Sequence, residues 1–187
     1  TYETYSNNIE PMVFSSDATE KRSNLILRKI EAMVSLETTG VLLDVGCGNG
    51  SFLRTFSNSY PQWSQYGFDL NERRISEIET ICGNGHFISG SLKHIPGEID
   101  LITLNYVLEH IDDPENVLKE LASKLSRDGK IVLVVPDLNK NPYDLIVGDH
   151  LSHYTKQTLS AQLREFGAIE VTEFPPKELI ALLRNQD

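Results

Sequence analysis

Apolar residues recur along the chain in two alternating rhythms. Leu25, Ile26, Ile30, Met33 and Val34 fall at helical spacing after Asp17-Ala18-Thr19-Glu20, a capping-box sequence, and predict an amphipathic helix over 17–35. Short apolar runs follow. Val41–Val45, a run closing on Tyr66-Gly67-Phe68-Asp69, His86–Ser89, Ile99–Leu104 and Ile131–Val135 read as strands, the last stopped by Pro136. Helices are predicted between them over 51–57, 72–81 and 114–125, with Pro114 at a first helical position and Gly129 ending the turn that follows. Thr155 caps a helix running to Phe166, a strand follows near 169–174, and 178–184 reads as a strand hairpinned through Pro175-Pro176.

Strands alternating with helices predict βαβ units, and right-handed crossovers place helices on both faces of the sheet. The expected fold is therefore α/β, with a doubly wound, mainly parallel seven-stranded sheet, in a single domain over 1–187. In such sheets ligands bind outside the carboxyl ends of the strands. The residues just after each apolar run are thus where chemistry is expected. Residues 1–35, with Tyr2 and Tyr5, read as an N-terminal lid and helix, and 137–154 as a surface segment on the substrate side.

A length of 187 residues suits one domain with a core that needs no disulfide. The 27 acidic and 17 basic side chains give a net charge of −10, which argues against sequence-independent binding to nucleic-acid phosphates. The basic pairs Lys21-Arg22 and Arg73-Arg74 read as solvated helix positions. No run of 18 apolar residues predicts a membrane span, and no apolar N-terminal run predicts a signal peptide. Cys47 and Cys82 read as two reduced thiols of a cytoplasmic protein. The chain begins at Thr1 rather than Met, as a cropped chain or one domain of a longer protein does.

The first strand ends in Asp44-Val45-Gly46-Cys47-Gly48-Asn49-Gly50. Three glycines at every second position permit backbone angles closed to other residues and let a ligand approach without meeting a Cβ. The same glycines also suit a tight turn with no ligand. Asp69 ends the second strand, where its carboxylate can accept from two vicinal hydroxyls such as those of a ribose, or cap the next helix. A dinucleotide fingerprint, G-x-G-x-x-G, fits poorly, because Ser51 or Leu53 falls where its third glycine belongs. Asp44 ahead of the glycines would repel a pyrophosphate and suits a ligand bearing an ammonium group near a nucleoside, such as S-adenosylmethionine.

On these residues, with Phe68-Asp69-Leu70, Ile99–His110 and Leu121–Val135, the sequence resembles the class I S-adenosylmethionine-dependent methyltransferases. The segment from Asp149 through Gly167 looks like the branch that methylates small molecules. The resemblance implies the Rossmann-like methyltransferase fold and S-adenosyl-L-methionine as cofactor. It implies that Asp44, Gly46, Cys47 and Gly48 wrap the methionine end and that Asp69 and Leu70 hold the ribose side. Relatives often carry an acid after the third strand. Here Gly90-Ser91-Leu92 stands there, so adenine contact is expected from Ser91 and the Leu92 backbone. Asn105, at the end of the fourth strand, can meet the cofactor's carboxylate or ammonium, or simply cap the next turn.

The expected reaction is methyl transfer to an O, N or C nucleophile of a small molecule, with neither nucleic acid nor membrane as partner. His110, His150 and His153 are the candidate bases, since imidazole titrates nearest neutrality, although a structural histidine reads equally well. His150 and His153, three residues apart, would share a helix face and could bind a metal with Asp149. No further Cys or His stands nearby, and no metal is expected. A cofactor-binding domain without turnover, and less favourably a nicotinamide-dependent oxidoreductase, are the alternatives.

Overall fold

A computed structural model of the chain describes residues 12–14, 19–82, 86–174 and 176–185. They belong to two compact units, Thr1–Gly90 and Ser91–Asp187.

In the first unit, β1 (Met12–Phe14) pairs antiparallel with β2 (Thr19–Lys21). The capping-box reading is corrected here. Thr19 and Glu20 belong to β2, and α1 (Arg22–Met33) starts after Lys21, which makes no side-chain cap bond. Asp17, Ala18, Tyr2 and Tyr5 lie outside the described residues. The apolar stripe still sets the buried face of α1, through Ile26, Leu27 and Ile30. Then come β3 (Val41–Val45), α2 (Ser51–Ser59), β4 (Ser64–Phe68), α3 (Ile75–Cys82) and β5 (His86–Ile88). These three strands form a parallel sheet in the order β5-β4-β3, as the alternation predicts. The helix expected over 72–81 is split. Asn71 accepts the Arg73 N–H at 3.1 Å and starts a separate 3₁₀ turn over Glu72–Arg74.

An aromatic cluster joins α2 to the rest of this unit. Phe56 is fully buried. Its ring stacks on Tyr60 (centroids 4.8 Å apart) and meets the Trp63 ring edge-on at 5.2 Å. The Tyr60 hydroxyl donates to Glu31 at 2.9 Å, and the Trp63 indole N–H donates to the Glu37 carbonyl at 2.9 Å. The polar edges of the two outer rings are thus satisfied while their faces fill the core.

The second unit contains β6 (Ile99–Asn105), α4 (Pro114–Ala122), β7 (Leu125–Pro136), α5 (Lys156–Leu163), β8 (Ala168–Phe174) and β9 (Glu178–Arg184). Its strand order is β6-β7-β9-β8, with β6 and β7 parallel and β9 antiparallel to both neighbours. The hairpin expected at the end of the chain therefore forms, although Pro175 itself lies outside the described residues. Pro114 opens α4 as the sequence predicts, and Asp113 caps it by accepting the Asn116 N–H at 3.1 Å.

Gly129 is not in a turn after α4 but inside β7. There Ile99 faces Leu125 and Leu101 faces Lys130, so residues 126–129 bulge from the ladder. A Cβ at Gly129 would stand 2.6 Å from the Ile99 carbonyl oxygen, so only glycine lets the strands close there.

Thr155 caps α5 reciprocally. Its Oγ1 accepts the Thr158 N–H at 3.2 Å, and its own N–H donates to Thr158 Oγ1 at 2.9 Å. Thr155→Ala is expected to cost about 1 kcal/mol and roughly 2–4 °C in Tm by thermal circular dichroism, with Thr155→Ser close to unchanged. Among the described residues, no helix is long and apolar enough to cross a membrane.

Candidate functional site

The first unit holds the glycine turn and both acids that the sequence singles out. Asp44 occupies β3, directly opposite Gly67 of β4, and is 2 % exposed. Beyond β3 the chain reverses on the Phe68 carbonyl, which accepts the N–H groups of Gly46 and Cys47 at 2.7 and 3.0 Å. Gly46, Gly48 and Gly50 all have positive φ, at 68°, 52° and 70°. Such angles favour glycine.

The glycines differ in what surrounds them. A Cβ at Gly50 would collide with Ile78 and Ile81 at 2.7 Å, so Gly50 lets α3 pack against the start of α2. A Cβ at Gly48 would meet nothing closer than the Gly46 carbonyl at 4.0 Å. The space above Gly48 is open, as backbone approached by a ligand must be.

Asp69 lies immediately beyond β4 and bonds the turn directly. Its Oδ2 accepts the Gly48 N–H at 2.9 Å, and Oδ1 accepts the Asn71 N–H at 2.8 Å. Asn71 rather than Asp69 caps the next turn, and each Asp69 oxygen keeps a second lone pair for a further donor. Beside it the Leu70 side chain is 76 % exposed, an apolar surface next to a polar cradle. Both cysteines are free thiols. Burial, reinforced by the carboxylates of Asp44 and Asp69, pushes the Cys47 thiol far up, and burial raises Cys82 to about 11. Cys47 therefore serves the turn as a small inert residue rather than a nucleophile.

Ser91, Leu92 and Asn105 belong to the second unit. Ser91 Oγ accepts the Lys93 N–H at 3.3 Å and caps a 3₁₀ turn over Leu92–His94. Asn105 ends β6, and the next residue, Tyr106, is held at φ 59° with its N–H on the Val134 carbonyl at 2.9 Å. A tyrosine in the left-handed region is a strained backbone position directly after a strand end.

The second unit also gathers the three histidines, which the sequence could not pair. Segment 147–154 is not helical, so the shared helix face expected for His150 and His153 does not exist. Instead, the Leu151 and Ser152 N–H groups both reach the Glu109 carbonyl, at 2.7 and 3.1 Å, and fold the segment back onto the Leu108–His110 turn. The His110 and His150 rings meet edge-on with centroids 4.7 Å apart. His110 Nδ1 lies 2.9 Å from the Asp149 carbonyl. A carbonyl only accepts, so Nδ1 carries a proton.

Asp149 is thus the partner of His110, not of His150 and His153. Their partner is Asp144, 1 % exposed, in a 3₁₀ turn over Pro142–Ile146. Asp144 Oδ1 lies 2.7 Å from His150 Nδ1, and Oδ2 lies 2.9 Å from His153 Nδ1. Sequence reasoning missed Asp144, whose only signal is an acid within the 137–154 segment.

Comparison with known proteins agrees with this geometry. The family model described as a methyltransferase domain matches residues 18–172. Ribosomal RNA small subunit methyltransferase C of Pseudomonas entomophila (strain L48) is 33 % identical over 134 residues, covering 66 % of this chain and 39 % of that protein. Trans-aconitate 2-methyltransferase of Escherichia coli O1:K1 / APEC is 28 % identical over 108 residues, covering 57 % and 43 %. The plantazolicin methyltransferase BpumL, solved in complex with SAH, superposes with a TM-score of 0.72 at 15 % identity, over 88 % of this chain and 82 % of that one. The chain spans less than half the length of these two curated relatives. It belongs to the methyltransferase-domain family, and the Rossmann-like methyltransferase fold expected from the sequence is the fold it has.

Proposed function

We propose that the protein transfers a methyl group from S-adenosyl-L-methionine to an O, N or C nucleophile of a small molecule, in the cytoplasm. The observation that carries this reading is the Asp69 carboxylate bonded to the Gly48 N–H beside a glycine turn left open above Gly48. The residues fit such a cofactor. Asp44, Gly46, Cys47 and Gly48 suit its methionine end, and Asp69 its ribose hydroxyls. The exposed Leu70 offers the apolar surface that a flat base covers.

The bound cofactor supplies a methyl group that its sulfonium already makes electrophilic. The protein's work is then to orient donor and acceptor and to exclude water. An acceptor that loses a proton needs a base, and His110, oriented by its Nδ1–H on the Asp149 carbonyl, suits that role. His150 and His153 are in the same tautomer while Asp144 is ionised.

A small-molecule acceptor is favoured by the net charge of −10, which suits a nucleic-acid backbone poorly. The ribosomal RNA methyltransferase among the relatives keeps RNA as the second reading. Incubation with methyl-labelled cofactor and separate panels of small acids, phenols, amines and structured RNA tests both. Label in RNA alone would overturn the small-molecule reading. Tight S-adenosylhomocysteine binding with no label transferred to any acceptor would support a binding domain without turnover.

A further inference from the structure

We infer that Asp144, His150 and His153 form a binding site for one divalent transition-metal ion of the zinc type. The three side chains present a carboxylate oxygen and two imidazole nitrogens, all within 4.8 Å of one another. The sequence offered Asp149 as the third ligand, but Asp144 is the acid that meets both histidines. The fold supplies the third from the Pro142–Ile146 turn.

Three observations converge. First, the Asp144 side chain is 2 % exposed, and its two oxygens each face one imidazole Nδ1, at 2.7 and 2.9 Å. A buried carboxylate is costly unless a cation or several donors compensate it. Hydrogen bonds from two imidazoles compensate it in part, whereas an ion among the three groups meets the carboxylate charge directly. Second, the donor set suits zinc and its neighbours, for which one carboxylate and two imidazoles are familiar ligands. Metal–ligand bonds of about 2.0–2.2 Å in tetrahedral geometry set donors roughly 3.3 Å apart, so each carboxylate–imidazole pair needs to open by only about half an ångström. Third, the site is built before any ion arrives. The Val147 N–H bonds the Asp144 carbonyl, the His150 N–H bonds the Val147 carbonyl, and the Glu109 carbonyl holds Leu151 and Ser152.

A buried carboxylate stands near the His150 ring. Binding through Nδ1 moves the His150 proton to Nε2, which then needs an acceptor. The Glu109 carboxylate, in a residue 1 % exposed, lies within 4.8 Å of a His150 ring nitrogen. The His150 and His153 side chains are 11 % and 26 % exposed, so one face of the cluster stays reachable. Three protein ligands with a fourth position open is the arrangement of sites whose ion holds water or a substrate oxygen. His150 and His153 then act as ligands rather than as bases.

The inference rests on this cluster alone, not on the methyltransferase reading. Untagged protein, stripped by chelator, is titrated with Co²⁺ while its visible d–d absorption is followed, and with Zn²⁺ in competition with a chromophoric chelator. One saturable equivalent is expected, with a cobalt spectrum of low coordination number. His153→Gln, at the more exposed imidazole, should weaken binding at least ~100-fold, since losing even an outer partner costs 10–100-fold. Asp144→Asn should weaken it as well, and circular dichroism must show both variants folded. Failure to saturate near one equivalent overturns the inference. So does binding by folded His153→Gln as tight as that of the parent protein, which would leave the cluster a hydrogen-bonded brace.

Discussion

Replacing Asp69 with alanine is expected to weaken S-adenosylhomocysteine binding by about 10²–10⁴-fold. Two charge-assisted hydrogen bonds to a ribose, each worth roughly 1.5–3 kcal/mol, account for that range. The substitution also removes the acceptor of the Gly48 N–H, so the glycine turn loses a tether as well as a ligand contact. Asp69→Asn separates the two effects. Its remaining oxygen can keep one backbone bond and accept one hydroxyl, while its NH2 group can accept nothing, so roughly 10–10²-fold in affinity should still be lost. Isothermal titration calorimetry reads the change, with thermal unfolding as the control. An affinity within threefold of the parent protein would place the ribose elsewhere.

The second large effect is on stability. Phe56→Ala is expected to destabilise the fold by roughly 3–5 kcal/mol, the range for emptying a fully buried aromatic site. Phe56 is packed against Phe52, Tyr60 and Trp63, so the cavity cannot close by a simple shift of one neighbour. Phe56→Leu fills most of the volume and should cost under about 1.5 kcal/mol. Urea unfolding followed by Trp63 fluorescence measures both, since that indole lines the proposed cavity. A loss under 1 kcal/mol for alanine would mean that the three rings do not act as one packed unit.

Much of this was legible in the chain because the signals were local. Five apolar runs, Pro114 at the start of α4 and Thr155 before α5 each report on their own neighbourhood, and each held. Asp44, the glycine turn and Asp69 were legible too, because one helix and one strand separate them and parallel pairing must bring them side by side. The misreadings have a common physical origin in contacts distant along the chain. The Gly129 bulge is set by the approach of Ile99, thirty residues away, which no local pattern records. Asp17–Glu20 has the composition of a helix cap, but Thr19 and Glu20 pair with Phe14 and Val13 instead. Asp144 was invisible as a partner of two histidines because a 3₁₀ turn, not a helical period, sets their spacing.

The position of β9 carries a consequence for how the chain is made. It follows every other described strand in the chain, yet it lies between β7 and β8. Until residues 178–184 leave the ribosome, Lys130–Pro136 and Ala168–Phe174 each present a row of unmet peptide groups. Such open borders invite pairing with other nascent chains. A polypeptide cut before Glu178 should therefore be a chaperone client that clumps, rather than a slightly weakened version of the whole.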